Sequence, residues 1–265
     1  MKSVLIGDQR VVLGDCIEGM GLMRAGNVDV ITTSPPYNIG MDYSKHKDRM
    51  DDSAYLSWMG DVAAACRRVL KPGGSIFLNV GSNGTRPWTA IDVACAFRKY
   101  LVLQNIIVWV KSVAIGDRTH GHFRPITSKR YLNGCHEMIY HFSLDGNVEL
   151  DRLAIGVPYT GERNPSRFGH GRQTHCRGNT WHIGYETVHY NEQRFNHPAA
   201  FPLTLPYTCM RLHGGKGLRV LDPFLGTGTT LLASAMLGHR GVGFDVDPAY
   251  ARTAVSRLRS LSSKT

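Results

Sequence analysis

The sequence predicts a doubly wound α/β fold, and three features carry that prediction. Residues 28–33 (Val28-Asp29-Val30-Ile31-Thr32-Thr33) form a short, β-branched, nearly continuous run, the pattern of a buried parallel strand. Segments of this kind alternate with amphipathic helical patterns, as strand–helix–strand units with right-handed crossovers do. A glycine-bearing turn, Asp222-Pro223-Phe224-Leu225-Gly226-Thr227-Gly228-Thr229-Thr230, stands between such a strand and such a helix. The length of 265 residues suits one domain of this type, and 42% hydrophobic with 20% charged residues fits a folded globular chain.

Taken in order, the first strand runs straight into Ser34-Pro35-Pro36-Tyr37, where two prolines end strand pairing. Apolar positions recur at helical spacing over 53–70 (Leu56, Met59, Ala63, Cys66, Leu70), with Asp51, Asp52 and Ser53 as start signals. Lys71-Pro72-Gly73-Gly74 is expected to stop that helix before a strand at 75–80. A helix follows at 89–99, then strands at 106–110 and 137–142. Residues 218–221 predict a strand, 229–237 a helix closed by Gly238, and 241–244 a strand. The final amphipathic helix covers 248–261, with Pro248 suited to its first turn.

The stretch 112–194 differs from its surroundings: it is poor in periodic segments and rich in Gly, His and Arg. It is expected to be an inserted recognition region within a single domain spanning 1–265. Arg163, Arg167, Arg172 and Arg177 face a lone Glu162 there and are the candidate contacts to a polyanion. Lys plus Arg number 31 against 21 Asp plus Glu, a surplus of 10 that favours a phosphate-bearing partner. His170, His175, Cys176 and His182 match no common zinc spacing, and the six cysteines contain no C-x-x-C pair. Neither a metal nor a disulfide framework is therefore expected. The apolar runs 105–110 and 231–237 are too short to span a bilayer, and Asp8 and Arg10 come too early for a secretory signal. The expectation is a cytoplasmic protein without a membrane partner.

Glycines at 226 and 228 let the backbone approach a ligand at a helix N-terminus. Asp245 ends the next strand, 17 residues after Gly228, where a carboxylate can accept both hydroxyls of a ribose. Asp222 could pair with a ligand ammonium group. The loop lacks the G-K-[ST] ending of a phosphate-cradling loop. A ribose plus an amino acid without phosphates describes S-adenosyl-L-methionine better than ATP or NAD.

The Ser34–Tyr37 loop suits the other half of a group transfer. An exocyclic amine on a base is a poor nucleophile, because its lone pair is delocalised into the ring. Two acceptors aimed at its N–H groups favour the pyramidal nitrogen that attacks a sulfonium methyl. Ser34 Oγ and the Pro35 carbonyl are the candidate acceptors, with Pro36 helping to fix carbonyl direction and Tyr37 placed to stack on a flipped base.

With these residues in view, the chain resembles the amino-group-specific DNA methyltransferases, in the permuted arrangement with the catalytic loop ahead of the cofactor loop. Gly14-Asp15-Cys16, Leu70-Lys71-Pro72-Gly73-Gly74 and His197-Pro198-Ala199-Ala200-Phe201-Pro202 add to the resemblance. It implies a Rossmann-like methyltransferase sheet with an inserted target-recognition region. It also implies S-adenosyl-L-methionine held by Asp15, Cys16, His197, Phe201, Asp222, Phe224, Gly226, Gly228, Thr229 and Asp245. Ser34 to Tyr37 would grip the base. Serine before Pro-Pro is similar to the cytosine-N4 enzymes, whereas adenine-N6 enzymes more often carry Asp or Asn. The implied partner is double-stranded DNA. The resemblance also leaves room for a cognate restriction endonuclease acting on the same site, and for a second copy of the chain in a homodimer. The competing readings are an N6-adenine enzyme of the same family and a catalytically inactive DNA-binding scaffold.

Overall fold

The computed structural model describes residues 1–38, 49–121, 126–161, 172–184 and 201–263. Nine strands form one central sheet. Its order is β1 (Lys2–Ile6), β2 (Gln9–Leu13), β13 (Arg240–Asp245), β12 (Arg219–Asp222), β3 (Val28–Thr33), β4 (Leu70–Val80), β8 (His136–Ser143), β5 (Val102–Val110) and β11 (Thr180–His182). Two small antiparallel pairs lie outside it: β6 (Ser112–Ile115) with β7 (Arg118–Gly121), and β9 (Val157–Pro158) with β10 (Thr174–His175).

Strand alternation explains the layers, because successive side chains point to opposite faces. Ile31, Ile76, Leu78, Tyr140 and Leu221 join the core under α1 (Cys16–Leu22), α2 (Asp52–Val69) and α3 (Thr89–Arg98). Their neighbours Val30, Phe77, Ile139 and Val220 join the core under α4 (Thr204–His213) and α5 (Thr229–Met236). A third cluster seats α5 and α6 (Pro248–Ser262) on Val11. Both faces of the sheet are covered, as the near-continuous apolar strands require.

The helices begin where capping chemistry allows. The Asp51 side chain accepts from Ser53 N and Ala54 N at the start of α2, while Arg67 and Arg68 occupy its last turn against the helix dipole. Asp247 caps α6, which carries a proline in its first turn. The sequence reading passed over α1, only seven residues long, and α4, whose Pro206 is tolerated because it lies in the first turn.

Three expectations change. The parallel sheet is mixed, since β8 runs antiparallel to both β4 and β5, and β1 antiparallel to β2. Lys71-Pro72-Gly73-Gly74 is not a linker but an irregularity inside β4. Val28 pairs with Leu70 and Val30 with Ser75, so the extra residues bulge out around Gly73, whose φ of 76° is left-handed. Within 112–194, β8 and β11 belong to the central sheet, and Trp109 and Trp181 are both buried core residues. No helix among the described residues is long and apolar enough to cross a membrane.

Candidate active site

The two loops that stand far apart in the sequence meet at the sheet edge. β12 lies beside β3, with Val220 paired to Val30 and Leu221 to Ile31. Just beyond that pairing, Thr33 Oγ1 donates to Asp222 Oδ1 at 2.6 Å. The parallel strands β2, β13, β12, β3 and β4 all end at this edge, delivering Asp15, Asp245, the 223–229 loop, Ser34 and Gly81. Because β8 is antiparallel, its first residues arrive there as well, bringing Glu137.

A cavity of about 340 Å³ opens between the loops, within the size range of small-molecule sites. Ser34, Pro35 and Pro36 form one wall, and Phe224, Leu225, Gly226, Thr227 and Thr229 another. Asp15, Cys16, Phe201, Asp245, Asp247 and Tyr250 complete it, with Trp58, Phe244 and Val246 adding flat apolar surface. Three carboxylates and no lysine or arginine occur among the described lining residues. That charge pattern suits a cationic ligand and opposes a polyphosphate.

Asp245 sits at the centre of this arrangement. Its Oδ2 accepts from Gly226 N at 2.8 Å and its Oδ1 from Asp247 N at 2.7 Å, leaving lone pairs on both oxygens. Burial pushes its carboxyl up to about 6, against the lowering effect of those two amides. Asp15 caps α1, with Oδ1 accepting from Ile17 N and Glu18 N. Burial, reinforced by Asp15, pushes the Cys16 thiol up to about 12, so it carries no thiolate at neutral pH. From α6, Arg257 donates to Thr227 O at 2.8 Å and to the hydroxyls of Thr227 and Thr229, bracing the glycine loop. Gly228, with φ 86°, caps α5, and a Cβ there would stand 2.7 Å from Ala254 Cβ.

On the other wall Ser34 belongs to a dense polar chain. Its Oγ lies 2.7 Å from Tyr37 Oη, and Tyr37 donates to Glu137 Oε2 at 3.0 Å. Asn79 Nδ2 donates to Tyr37 Oη at 2.8 Å and to Glu137 Oε2 at 2.7 Å. Lys111 Nζ closes the chain on Glu137 Oε1 at 2.9 Å. The cluster is packed tightly, since a Cβ on Gly81 would come within 2.8 Å of the Tyr37 ring. The Pro36 carbonyl accepts from Tyr55 Oη at 2.7 Å, tying the loop to α2.

Of the residues singled out from sequence, Ser34, Pro35, Pro36, Asp15, Cys16, Phe201, Phe224, Gly226, Thr229 and Asp245 all line one cavity. Three others stand behind its walls: Tyr37, Asp222 and Gly228. Asp222 is 1% exposed, and its oxygens are taken by Thr33 Oγ1, Phe224 N and Thr230 Oγ1. It clasps β12 to β3 where an ammonium partner was expected. His197, Arg163 and Arg167 lie outside the described residues. Arg172 is exposed, while Arg177 is half-buried and donates to the Ile155 carbonyl at 3.1 Å.

Sequence reasoning missed Trp58, Tyr250, Asn79, Lys111 and Glu137. Two of these carried a signal: Asn79 interrupts the apolar run 76–80, and Glu137 opens the apolar run 138–142.

A domain with this sheet and this pair of facing loops is the architecture of a group-transfer enzyme with its ligands at the strands' carboxyl edge. The chain belongs to the DNA methylase family of N6- and N4-directed methyltransferases, whose family model matches residues 28–256. The type II methyltransferase M.HpaI of Haemophilus parainfluenzae is 28% identical over 257 residues, covering 96% of this chain and 75% of the relative. The DNA adenine methyltransferase YhdJ of Escherichia coli (strain K12) is 25% identical over 261 residues, covering 94% and 82%. Among solved structures, the cytosine-N4-specific PvuII DNA methyltransferase superposes with a TM-score of 0.71 at 17% identity, covering 97% of this chain and 92% of that one, a likeness of fold. A DNA modification methylase of Thermus thermophilus, complexed with S-adenosyl-L-methionine, matches at 26% identity and a TM-score of 0.63, covering 94% and 93%.

Proposed function

We propose that this DNA methyltransferase transfers the methyl group of S-adenosyl-L-methionine to the exocyclic N4 amine of a cytosine flipped out of duplex DNA. One observation carries the reading. Ser34-Pro35-Pro36 and the Asp245–glycine-loop pair line the same cavity, and its described lining holds three carboxylates and no cationic side chain.

The residues fit that cofactor. S-adenosyl-L-methionine supplies an electrophilic methyl group on a positively charged sulfur, and the carboxylate-lined cavity complements that charge. Asp245 offers its remaining lone pairs to the ribose hydroxyls. Trp58, Phe244 and Val246 supply apolar walls for a flat base, while Asp15, Phe201, Phe224 and Thr229 bound the rest of the cofactor site. The family resemblance places His197 and Cys16 there too.

Ser34 Oγ and the Pro35 carbonyl accept the two N–H groups of the target amine, favouring the pyramidal nitrogen of the transition state. Tyr37 is the ring on which the flipped base stacks, contributing roughly 1–3 kcal/mol towards the few kcal/mol that flipping costs. The recognition region occupies the parts of 112–194 outside β8 and β11, with Arg172 on its exposed surface. Duplex DNA is its partner, and the charge surplus of 10 supports that pairing.

Cytosine is favoured by Ser34, a neutral residue before Pro-Pro. The likeness to an adenine methyltransferase supports adenine N6 as the second reading. Incubating the protein with unmethylated DNA and S-adenosyl-L-methionine, then separating the nucleosides by mass spectrometry, tests both. N4-methylcytosine is expected. N6-methyladenine would overturn the base assignment, and bound cofactor without any product would favour the inert scaffold.

A further inference from the structure

Glu137 and Lys111 lie outside the chemistry described above, yet hydrogen-bond accounting gives them a part in it. A carboxylate only accepts, so the single proton of Tyr37 is committed to Glu137 Oε2, 3.0 Å away. Tyr37 Oη then accepts from its other neighbours, Asn79 Nδ2 at 2.8 Å and Ser34 Oγ at 2.7 Å. The single proton of Ser34 therefore points at Tyr37, and its lone pairs are left for the cavity it lines. Reversing the chain would turn the Ser34 O–H towards the substrate amine, donor against donor.

We infer that Glu137, with Lys111 on its far oxygen, is a positioning residue that sets the direction of the Ser34–Tyr37 hydrogen bond and so makes Ser34 a pure acceptor for the target amine. The burial is consistent with a fixed device: the two side chains are 12% and 20% exposed, and Asn79 is 2% exposed. Lys111 can only donate, so it selects an acceptor at Oε1. Asn79 Nδ2 reaches both Tyr37 Oη and Glu137 Oε2, so it reinforces the same direction. This inference rests on the proposed role of Ser34 as the amine's acceptor.

Glu137→Gln tests it with little change of shape. In that variant Lys111 takes the amide oxygen, which turns the amide NH₂ towards Tyr37 and reverses the chain. The expected result is a kcat lower by about 100-fold, the scale of losing one aligned polar group at a reacting centre. KM for DNA and Kd for S-adenosyl-L-methionine should stay within about threefold. Adding Lys111→Met to Glu137→Gln frees the amide to face Tyr37 with its oxygen. The double variant should then recover about tenfold of the lost kcat, a gain that mere loss of packing could not give.

Tyr37→Phe, which leaves the Glu137–Lys111 pair intact, should also lower kcat by at least about tenfold. A Glu137→Gln enzyme with kcat within about threefold of the wild type overturns the inference, as does a double variant no faster than the single one. A wild-type enzyme that transfers no methyl group to DNA overturns the proposed function as well. An active wild type indifferent to Glu137→Gln overturns this inference alone.

Discussion

Asp245→Asn separates what this carboxylate does for the fold from what it does for the ligand. In the wild type its two oxygens each accept one backbone amide, from Gly226 and Asp247, at 2.8 and 2.7 Å. An amide side chain has one oxygen, so one of those N–H groups must face an NH₂ group, at a cost of about 1–3 kcal/mol. Removing the charge offsets this. Burial raises the carboxyl from 3.8 to about 6, so ionisation penalises the folded state by about 3 kcal/mol at neutral pH. Net stability should change little. The ligand has no such compensation, because it loses one charge-assisted hydrogen bond worth about 1.5–3 kcal/mol. Kd for S-adenosyl-L-methionine should rise about 10- to 150-fold at pH 8, measured by titration calorimetry, with DNA affinity unchanged. The pH dependence supplies a second reading. Ribose hydroxyls prefer the ionised carboxylate, so wild-type affinity is full above about pH 6 and falls roughly tenfold per pH unit below it. The Asn variant should lack that slope. A variant Kd within about threefold of the wild type, or a flat wild-type profile from pH 8 to pH 5, would refute the role given to Asp245.

Ser34→Ala should lower kcat by about 100-fold or more while cofactor affinity stays within about threefold; equal losses in both would remove it from the amine site. Asp222→Asn should leave cofactor affinity unchanged and alter the pH dependence of stability. The raised pKa of Asp222, about 6, means its contribution is present below pH 3.8 and lost as pH rises through 6, by about 3 kcal/mol. Relative to the wild type, the Asn variant should therefore gain stability between pH 4 and pH 7 in thermal unfolding. Alanine at Arg163, Arg167, Arg172 and Arg177 should lower the log–log salt slope of DNA binding by roughly 2–3, at about 0.9 per phosphate contact, since Arg177 is engaged with the Ile155 carbonyl.

The sequence made the strands and their end loops legible because each carries a local signal. Residues 28–33 are β-branched, Ser34-Pro35-Pro36 cannot continue a ladder, and Gly226 and Gly228 mark a strand-to-helix turn. What it could not reveal is pairing. Nothing local to 136–143 says that this strand runs antiparallel between β4 and β5, and that direction is what carries Glu137 to Tyr37. The inward turn of Asp222 is equally non-local, since it depends on Thr33 arriving from 189 residues away. Trp58 reads from sequence as a residue of an amphipathic helix. Its place in the cavity wall emerges only from its edge-on contact with Phe224, at a ring separation of 5.5 Å.

The seam between β3 and β12 has a consequence for how such a protein can be built. The loop beside the amine and the loop beside the methyl donor are joined across that seam by strand pairing and the Thr33–Asp222 clasp. The peptide that links them in sequence takes no part in that joint. Chain continuity between the two halves is thus a matter of gene layout rather than chemistry. The same centre could be assembled from two separately translated fragments, provided each brings its own strand to the seam.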